Sequence, residues 1–306
     1  MMSKKPIVNY IYPLKLDCVA KSTLWGGNSL SERYNKPAVD RLGECWELSV
    51  REKERNIILN GVCKGLTIND YLSKYTDISP SSFPVLIKLI DARENLSVQV
   101  HPLGEKTELW HILEAQDDAF IILGLNSGVD RSKIAEAALD GSIEKYLRKI
   151  PVTAGETYFI PAGTIHAIGK GIVLAEIQQN SDTTYRFYDY GRGRELHIEQ
   201  ALENLINLNA REIAELQFSK KKQSMTEETL ALCEYFTVIK HNIDGSLSFK
   251  LNDSLFVSLI CTDGIGEIVW EDGKEQIVAG DSLFIPKDVG SFEISGSLKI
   301  ITTTVQ

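Results

Sequence analysis

The sequence predicts a mainly β protein of two β domains, with a small helical element beside the first domain. Short β-branched and apolar runs separated by turn residues occupy 45–58, 84–124 and 152–176, a spacing typical of antiparallel β-structure. Helical spacing of apolar residues occurs in two stretches, about 130–150 and 197–209. A turn, strand and turn pattern also occurs twice along the chain, which indicates a repeated β unit.

The elements of the first domain follow from local sequence patterns. The segments Phe83–Ile90 and Ala119–Gly124 are short apolar runs, so both are candidate core strands. Between 130 and 150, apolar residues recur at helical spacing among charges, and we expect one broken helix or two short ones, with Gly141 as the break. The stretch 197–209 places its apolar residues on one helical face and predicts a further helix.

The repeated pattern lies at residues 155–166 and 280–291. Each copy consists of a Gly-acid turn, a strand that ends in Phe-Ile-Pro, and a second turn. The first copy ends at His166, where the second copy has Ser291. If the β unit is duplicated, we expect a functional site in the first copy and a structural partner in the second. Chance similarity of two turn-strand-turn segments is the alternative.

A polar segment separates the two predicted domains. Residues 219–228 include three consecutive lysines and form the best linker candidate. The first domain is therefore predicted to span 1–218, including both helical stretches, and the second domain 229–306. From 233 to 305 the chain is strand-like almost throughout.

Length, charge and cysteine content narrow the class of protein. A chain of 306 residues can bury a substantial core without disulfide bonds. Its formal net charge of −9 argues against a nucleic-acid binder or a binder of anionic membranes, so an anionic substrate needs a locally basic pocket. The five cysteines are scattered without a C-x-x-C pair, which indicates reduced thiols. We find no signal or membrane-spanning pattern and predict a cytoplasmic protein.

The densest group of candidate metal ligands lies between residues 96 and 108. Residues 96–100 read as a strand, and side chains on a strand alternate faces, so Gln99 and His101 point to the same side. With Glu108 and His166 they form a mixed set of nitrogen and oxygen donors, which suits zinc or another divalent ion. None is a cysteine, which argues against a closed structural zinc site. A lone strand histidine is more often a core or surface residue than a ligand, so the argument depends on the whole group.

Several motifs resemble those of the type I mannose-6-phosphate isomerases, which are zinc enzymes of the cupin superfamily. The motifs, in the family's order, are Leu24-Trp25-Gly26-Gly27, Gly43-Glu44-Cys45-Trp46-Glu47-Leu48-Ser49, Leu96-Ser97-Val98-Gln99-Val100-His101-Pro102, Lys106-Thr107-Glu108-Leu109-Trp110, Pro161-Ala162-Gly163-Thr164-Ile165-His166-Ala167, Glu176-Ile177-Gln178-Gln179-Asn180-Ser181-Asp182-Thr183-Thr184-Tyr185-Arg186 and Leu196-His197-Ile198-Glu199. They cover most of the first two-thirds of the chain. The resemblance implies a fold of two cupin-like jelly-roll barrels, the second of them without these motifs.

The resemblance also implies a cofactor and a reaction. One zinc ion would be bound by Gln99, His101, Glu108 and His166. The implied reaction is the reversible conversion of mannose 6-phosphate into fructose 6-phosphate, in which a proton moves between C1 and C2 through an enediol. Such chemistry needs stabilisation of charge on the sugar oxygens, a base for the carbon-bound proton and fixed cations for the phosphate.

Five further residues are candidates for these roles. By the resemblance, Lys106 lies in the pocket and Arg186 contacts the substrate near the reacting carbons. Asp182 shares the face of Arg186 by strand alternation, and we expect it to accept a proton or to orient that arginine. Ser97, Lys106 and Arg192 are the phosphate candidates, because arginine suits the phosphate geometry and serine supplies a neutral donor.

One departure from the family pattern leaves other functions open. Family members usually carry a longer acidic insertion between the His-Pro and Lys-Thr-Glu motifs, whereas here only residues 103–105 separate them. A shorter loop reshapes one wall of the pocket and bears on substrate preference more than on metal binding. The alternatives are a non-catalytic sugar-phosphate-binding cupin, or an isomerase of a different or unphosphorylated sugar. The chain is expected to act on its small substrate as a monomer or homodimer.

Overall fold

The computed structural model describes residues 9–206, 212, 226–251 and 254–305. In chain order the strands are β1 (Leu14–Leu16), β2 (Val19–Gly27), β3 (Leu42–Leu48), β4 (Val50–Arg51), β5 (Glu54–Arg55), β6 (Val85–Ala92), β7 (Val98–Val100), β8 (Glu108–Ala115), β9 (Phe120–Leu125), β10 (Leu147–Pro151), β11 (Thr157–Ile160), β12 (His166–Ile168), β13 (Ile172–Gln179), β14 (Tyr185–Tyr188), β15 (Glu227–Leu232), β16 (Thr237–Lys250), β17 (Phe256–Trp270), β18 (Gly273–Val278), β19 (Ser282–Pro286) and β20 (Ser291–Val305). The helices are α1 (Ser29–Arg33), α2 (Ile68–Tyr75), α3 (Arg131–Asp140) and α4 (Ile198–Asn204). Three short 3-10 turns are Pro80–Ser82, Ser142–Lys145 and Lys287–Val289. The prediction of a mainly β fold is confirmed.

Two large antiparallel sheets form the N-terminal part of the structure, beside a separate two-stranded sheet of β4 and β5. The six-stranded sheet has the order β11-β8-β13-β6-β2-β3, and the five-stranded sheet has the order β10-β9-β12-β7-β14. Apolar side chains from both sheets, among them Ile90, Trp110, Ile121 and Ile168, form one buried cluster. The sheets therefore pack face to face, as in a jelly roll. Both predicted core strands are confirmed, as β6 and β9.

The helical element lies against the outer face of the five-stranded sheet. Ile134 of α3 and Ala201 of α4 belong to the same buried cluster as Val98 and Val100 of β7. The break at Gly141 is confirmed, because this residue has a φ of 79° and leads into the 3-10 turn Ser142–Lys145.

Two of the helical predictions need correction at their ends. Residues 147–150 belong to strand β10, because their backbone pairs with β9, as in the register of Ile150 with Ile121. The second predicted helix begins at Ile198 and ends at Asn204. Residues 205 and 206 are not helical, and residues 207–209 lie outside the described residues.

A seven-stranded sheet forms the C-terminal part of the structure. Its order is β1-β19-β17-β20-β16-β15, with β18 paired to β17. The N-terminal strand β1 thus joins a sheet otherwise made of residues 227–305, in the register of Leu14 with Phe284. One buried cluster contains Leu89 of the first domain together with Phe256 and Phe284, so the two parts share a core. The domain boundaries stay a prediction, and most of the proposed linker lies outside the described residues.

The repeated sequence pattern has the same local structure in both copies. In the first copy, β11 ends at Ile160 and β12 begins at His166. In the second copy, β19 ends at Pro286 and β20 begins at Ser291. His166 and Ser291 therefore occupy equivalent positions at the start of a strand.

No helix in the described ranges is long and apolar enough to cross a membrane.

Candidate metal centre

Three predicted site residues form a row across the five-stranded sheet. Gln99 of β7 is in register with His166 of β12 on one side and with Arg186 of β14 on the other. Direct cross-strand partners project from the same face of a sheet, so the three side chains lie side by side. His101 follows two residues after Gln99 and keeps the same face. All four line a single cavity of about 290 Å³.

Glu108 reaches the same cavity from the facing sheet. It is the first residue of β8 and is 1% exposed. Its Oε1 lies 3.1 Å from His101 Nε2, and its Oε2 lies 3.7 Å from His166 Nε2. The ligand atoms of the three residues all lie within 4.8 Å of one another. Two imidazoles and one carboxylate are thus held around one point, a spacing that suits a metal ion.

Backbone contacts orient both histidines toward Glu108. His101 Nδ1 lies 3.0 Å from the Thr183 carbonyl oxygen, and His166 Nδ1 lies 2.7 Å from that of Thr164. A proton on Nδ1 that is donated to a carbonyl leaves the lone pair on Nε2, the atom that faces the carboxylate. Burial, followed by the Lys106 charge, lowers the pKa of His101 to about 3, and burial also lowers the pKa of His166. Both imidazoles are therefore neutral at pH 7, the form that ligates metals.

Glu108 carries a negative charge despite its burial. Burial by itself raises the pKa of a carboxyl group, but the Lys106 ammonium holds the pKa of Glu108 well below its usual range. Lys106 Nζ lies 2.9 Å from Glu108 Oε1. Glu108 Oε2 is a buried oxygen without a hydrogen-bond partner. Such an orphaned acceptor beside two aligned imidazole nitrogens fits the binding of a cation.

A tight turn delivers Lys106 into the cavity. The Glu105 N–H donates to the Pro102 carbonyl oxygen at 3.2 Å, and Gly104 has a φ of 75°, in the left-handed region that favours glycine. Lys106 is 5% exposed, whereas Leu103 at the turn is half exposed. The short 103–105 loop therefore still places the lysine beside the ligands.

The six-stranded sheet adds a charged wall that sequence reasoning missed. Lys88 Nζ lies 3.0 Å from Glu176 and 3.7 Å from Glu44, and all three residues line the cavity. The indole N–H of Trp110 donates to Glu176 at 2.9 Å. Burial, followed by the charge of Glu108, raises the pKa of Glu176. The available signal was Lys88 itself, a charged residue inside an otherwise apolar run.

Arginines line the opposite side of the cavity. Arg186 and Arg194 both border it, whereas Arg192 does not. Arg192 and Arg194 each donate to the buried carboxylate of Asp189, at 2.7 and 2.5 Å. Arg186 Nη1 donates to the Glu195 carbonyl oxygen at 2.8 Å, while its Nε is buried without a hydrogen-bond partner.

The remaining predicted residues, Asp182 and Ser97, also border the cavity. Asp182 is largely exposed and forms an ion pair with Arg51 at 2.5 Å, so its carboxylate is held by that arginine and not by Arg186. Ser97 is buried and accepts a hydrogen bond from the Gln99 amide at 3.2 Å. Of the site residues predicted from the sequence, Arg192 is thus the one that the structure places away from the cavity.

The fold and the site define a class of protein: a jelly-roll cupin with a cavity between its sheets whose His101, Glu108 and His166 could hold a metal ion. Comparison with protein-family models supports the assignment to the cupins. Residues 226–305 match "Mannose-6-phosphate isomerase, cupin domain", and residues 13–120 match "Phosphomannose isomerase type I, catalytic domain". The chain is 33% identical to a mannose-6-phosphate isomerase from Bacillus subtilis and 34% identical to one from Streptococcus mutans. Each alignment covers 95% of this chain and 98% of the relative.

Solved structures show the same relationship. The crystal structure of the mannose 6-phosphate isomerase from Bacillus subtilis superposes with a TM-score of 0.85 at 30% identity, covering 95% of this chain and 99% of that one. The apo form of the enzyme from Salmonella typhimurium, at 16% identity, shares the fold with a TM-score of 0.76 over 96% of this chain and 99% of that one. The chain belongs to the type I mannose-6-phosphate isomerase family, and it is therefore an isomerase.

Proposed function

We propose that this protein interconverts mannose 6-phosphate and fructose 6-phosphate with the help of one bound zinc ion per chain. The observation that carries the proposal is the buried group of His101, Glu108 and His166 inside the cavity of a chain from this family. Two neutral imidazoles, a buried carboxylate with an unpartnered oxygen, and the neighbouring Gln99 form the donor set. Nitrogen and oxygen donors of this kind suit zinc, although other divalent ions share the preference.

The proposed reaction moves a proton between C1 and C2 of the open-chain sugar through an enediol. When bound, zinc supplies a Lewis acid for the sugar oxygens. Lys106 contacts Glu108 and Arg186 lies in register with Gln99, and we propose that these two cations stabilise negative charge that develops on O1 and O2. Both occupy the cavity wall, and Lys106 is almost fully buried, which strengthens its charge interactions.

The carbon-bound proton needs a base within the cavity. Asp182 was the candidate from the sequence, but its carboxylate is exposed and paired with Arg51. Glu176 has better support, because it is buried in the cavity wall and its pKa is raised toward the range in which a carboxylate takes up and returns a proton. We propose Glu176 as the proton-transferring group, with Lys88 and Trp110 holding its carboxylate in place.

The phosphate group requires fixed cations. The cavity is lined by four cationic and four carboxylate side chains, so a divalent metal ion would give it the positive charge that a phosphate dianion needs. Arg194 faces this cavity and Arg192 does not, so we propose Arg194 as the main phosphate ligand. Ser97 and Lys106 remain candidates for further contacts.

A coupled assay tests this function. Purified protein is stripped of metal with a chelator, reloaded with zinc, and given mannose 6-phosphate or unphosphorylated mannose in parallel. We expect product only from the zinc-loaded protein, with conversion of mannose 6-phosphate into fructose 6-phosphate and no conversion of mannose into fructose. Turnover of mannose with no preference for its 6-phosphate would support the rival sugar isomerase. Binding of mannose 6-phosphate without turnover would support the non-catalytic cupin.

A further inference from the structure

A pair of thiols lies behind the cavity wall, on the other face of strand β3. Glu44 of β3 lines the cavity, so strand alternation turns the next residue, Cys45, toward the opposite face. Cys18 immediately precedes β2, which runs antiparallel to β3 with Ala20 in register with Cys45. The two cysteines therefore come from adjacent segments of one sheet.

The geometry brings the two sulfurs into contact. Cys18 Sγ lies 3.3 Å from Cys45 Sγ, and both thiols are free. Formation of a disulfide requires the sulfurs to approach by about 1.3 Å more, since an S–S bond is about 2.05 Å long. Cys45 is fully buried, whereas Cys18 is partly exposed. An oxidant in solution therefore reaches Cys18 first. The Cys45 thiol is already close enough to react with the oxidised Cys18 sulfur.

Charged groups beside the pair oppose metal binding. Lys36 interacts electrostatically with both thiols, but the hydrogen bond to Cys18 and burial raise the pKa of Cys45, so Cys45 stays protonated. Glu47 completes a potential ligand group with the two cysteines, but Lys36 Nζ already lies 2.7 Å from its carboxylate. Lys36 and Glu47 are both buried, so the ammonium also opposes a second cation at this point.

We propose that Cys18 and Cys45 form a reversible disulfide when the protein meets a peroxide. The Cys18 thiolate attacks hydrogen peroxide, breaks its O–O bond and becomes a sulfenic acid, with the second oxygen leaving as water after it takes up a proton. The Cys45 sulfur then attacks the Cys18 sulfur. The S–S bond forms as the S–O bond breaks, and the Cys45 proton leaves with the hydroxide as water. Two thiols and one peroxide thus yield one disulfide and two waters.

Mass spectrometry of the peroxide-treated, metal-loaded full chain tests this proposal. Free thiols are alkylated under denaturing conditions after treatment, and the peptides are mapped with and without dithiothreitol. We expect a Cys18–Cys45 linked peptide in the wild type that disappears on reduction. Cys18→Ser should abolish it. Cys233→Ser is the matched control, because Cys233 is also partly exposed, and it should retain the link.

Two outcomes in the wild type alone would overturn the proposal. One is the build-up of sulfenic or sulfinic acid on Cys18 while Cys45 remains open to alkylation. The other is no oxidation of either thiol at peroxide doses that oxidise Cys233. Both outcomes are measured on the peroxide-treated wild type, so they do not depend on the folding of a variant.

Discussion

Acidification should lower the unfolding free energy of the metal-free protein, because His101 is buried as a neutral imidazole. In the folded chain the pKa of His101 is about 3, against 6.5 for an ordinary histidine. Between these values the unfolded state binds more protons than the folded state, so stability falls as the pH drops below about 6.5. For this one group, the free energy of unfolding should fall by about 2 kcal/mol from pH 7 to pH 5.

The assay is urea unfolding of chelator-treated protein at pH 7 and at pH 5, with wild type and His101→Gln compared. Because other groups titrate in both proteins, the informative quantity is the difference between the two pH dependences. The wild type should lose about 2 kcal/mol more than His101→Gln. Ser97→Ala, a change at a neighbouring cavity residue that does not titrate here, should keep the wild-type dependence. Equal losses in wild type and His101→Gln would refute a neutral, buried His101.

Two further predictions concern charges elsewhere in the chain. Arg194→Ala should raise the KM for mannose 6-phosphate by about 10- to 100-fold, since a charged hydrogen bond is worth about 1.5–3 kcal/mol. Arg192→Ala should raise it less, and the opposite order in the coupled assay would contradict the cavity assignment. Glu47→Leu should destabilise the protein by about 3–5 kcal/mol in urea unfolding, because it leaves the buried Lys36 ammonium without its carboxylate partner. Adding Lys36→Met should recover part of this loss, and no recovery would show that the ion pair is not the cause.

Local patterns were enough to predict the strands and much of the site. Alternation along 96–100 correctly placed Gln99 and His101 on one face. The repeated Phe-Ile-Pro unit singled out His166 as the point where the two copies differ, and the structure adds that this residue begins β12. The boundary between helix and strand near residue 147 was not predicted, because pairing with β9 overrides the helical spacing there. The insertion of β1 into the C-terminal sheet is likewise a long-range contact without a local signal.

Two site residues have contacts that local sequence patterns do not predict. Asp182 borders the cavity with Arg186, but it lies before β14 and its carboxylate pairs with Arg51. Between β14 and Arg194, Tyr190, Gly191 and Gly193 have positive φ, and these turns decide which arginine faces the cavity. Lys88 and Glu176 meet across neighbouring strands, a register that only the folded sheet defines.

The most direct test of the proposed function measures metal content and isomerase activity together, in wild type and in His166→Ala. His166 is buried and supplies the ligand atom from β12 that completes the group with His101 and Glu108. We predict about one zinc ion per chain and conversion of mannose 6-phosphate in the wild type, with both lost in the variant. A folded His166→Ala protein that kept its metal and its activity would contradict the assignment of this cavity as the metal-dependent active site.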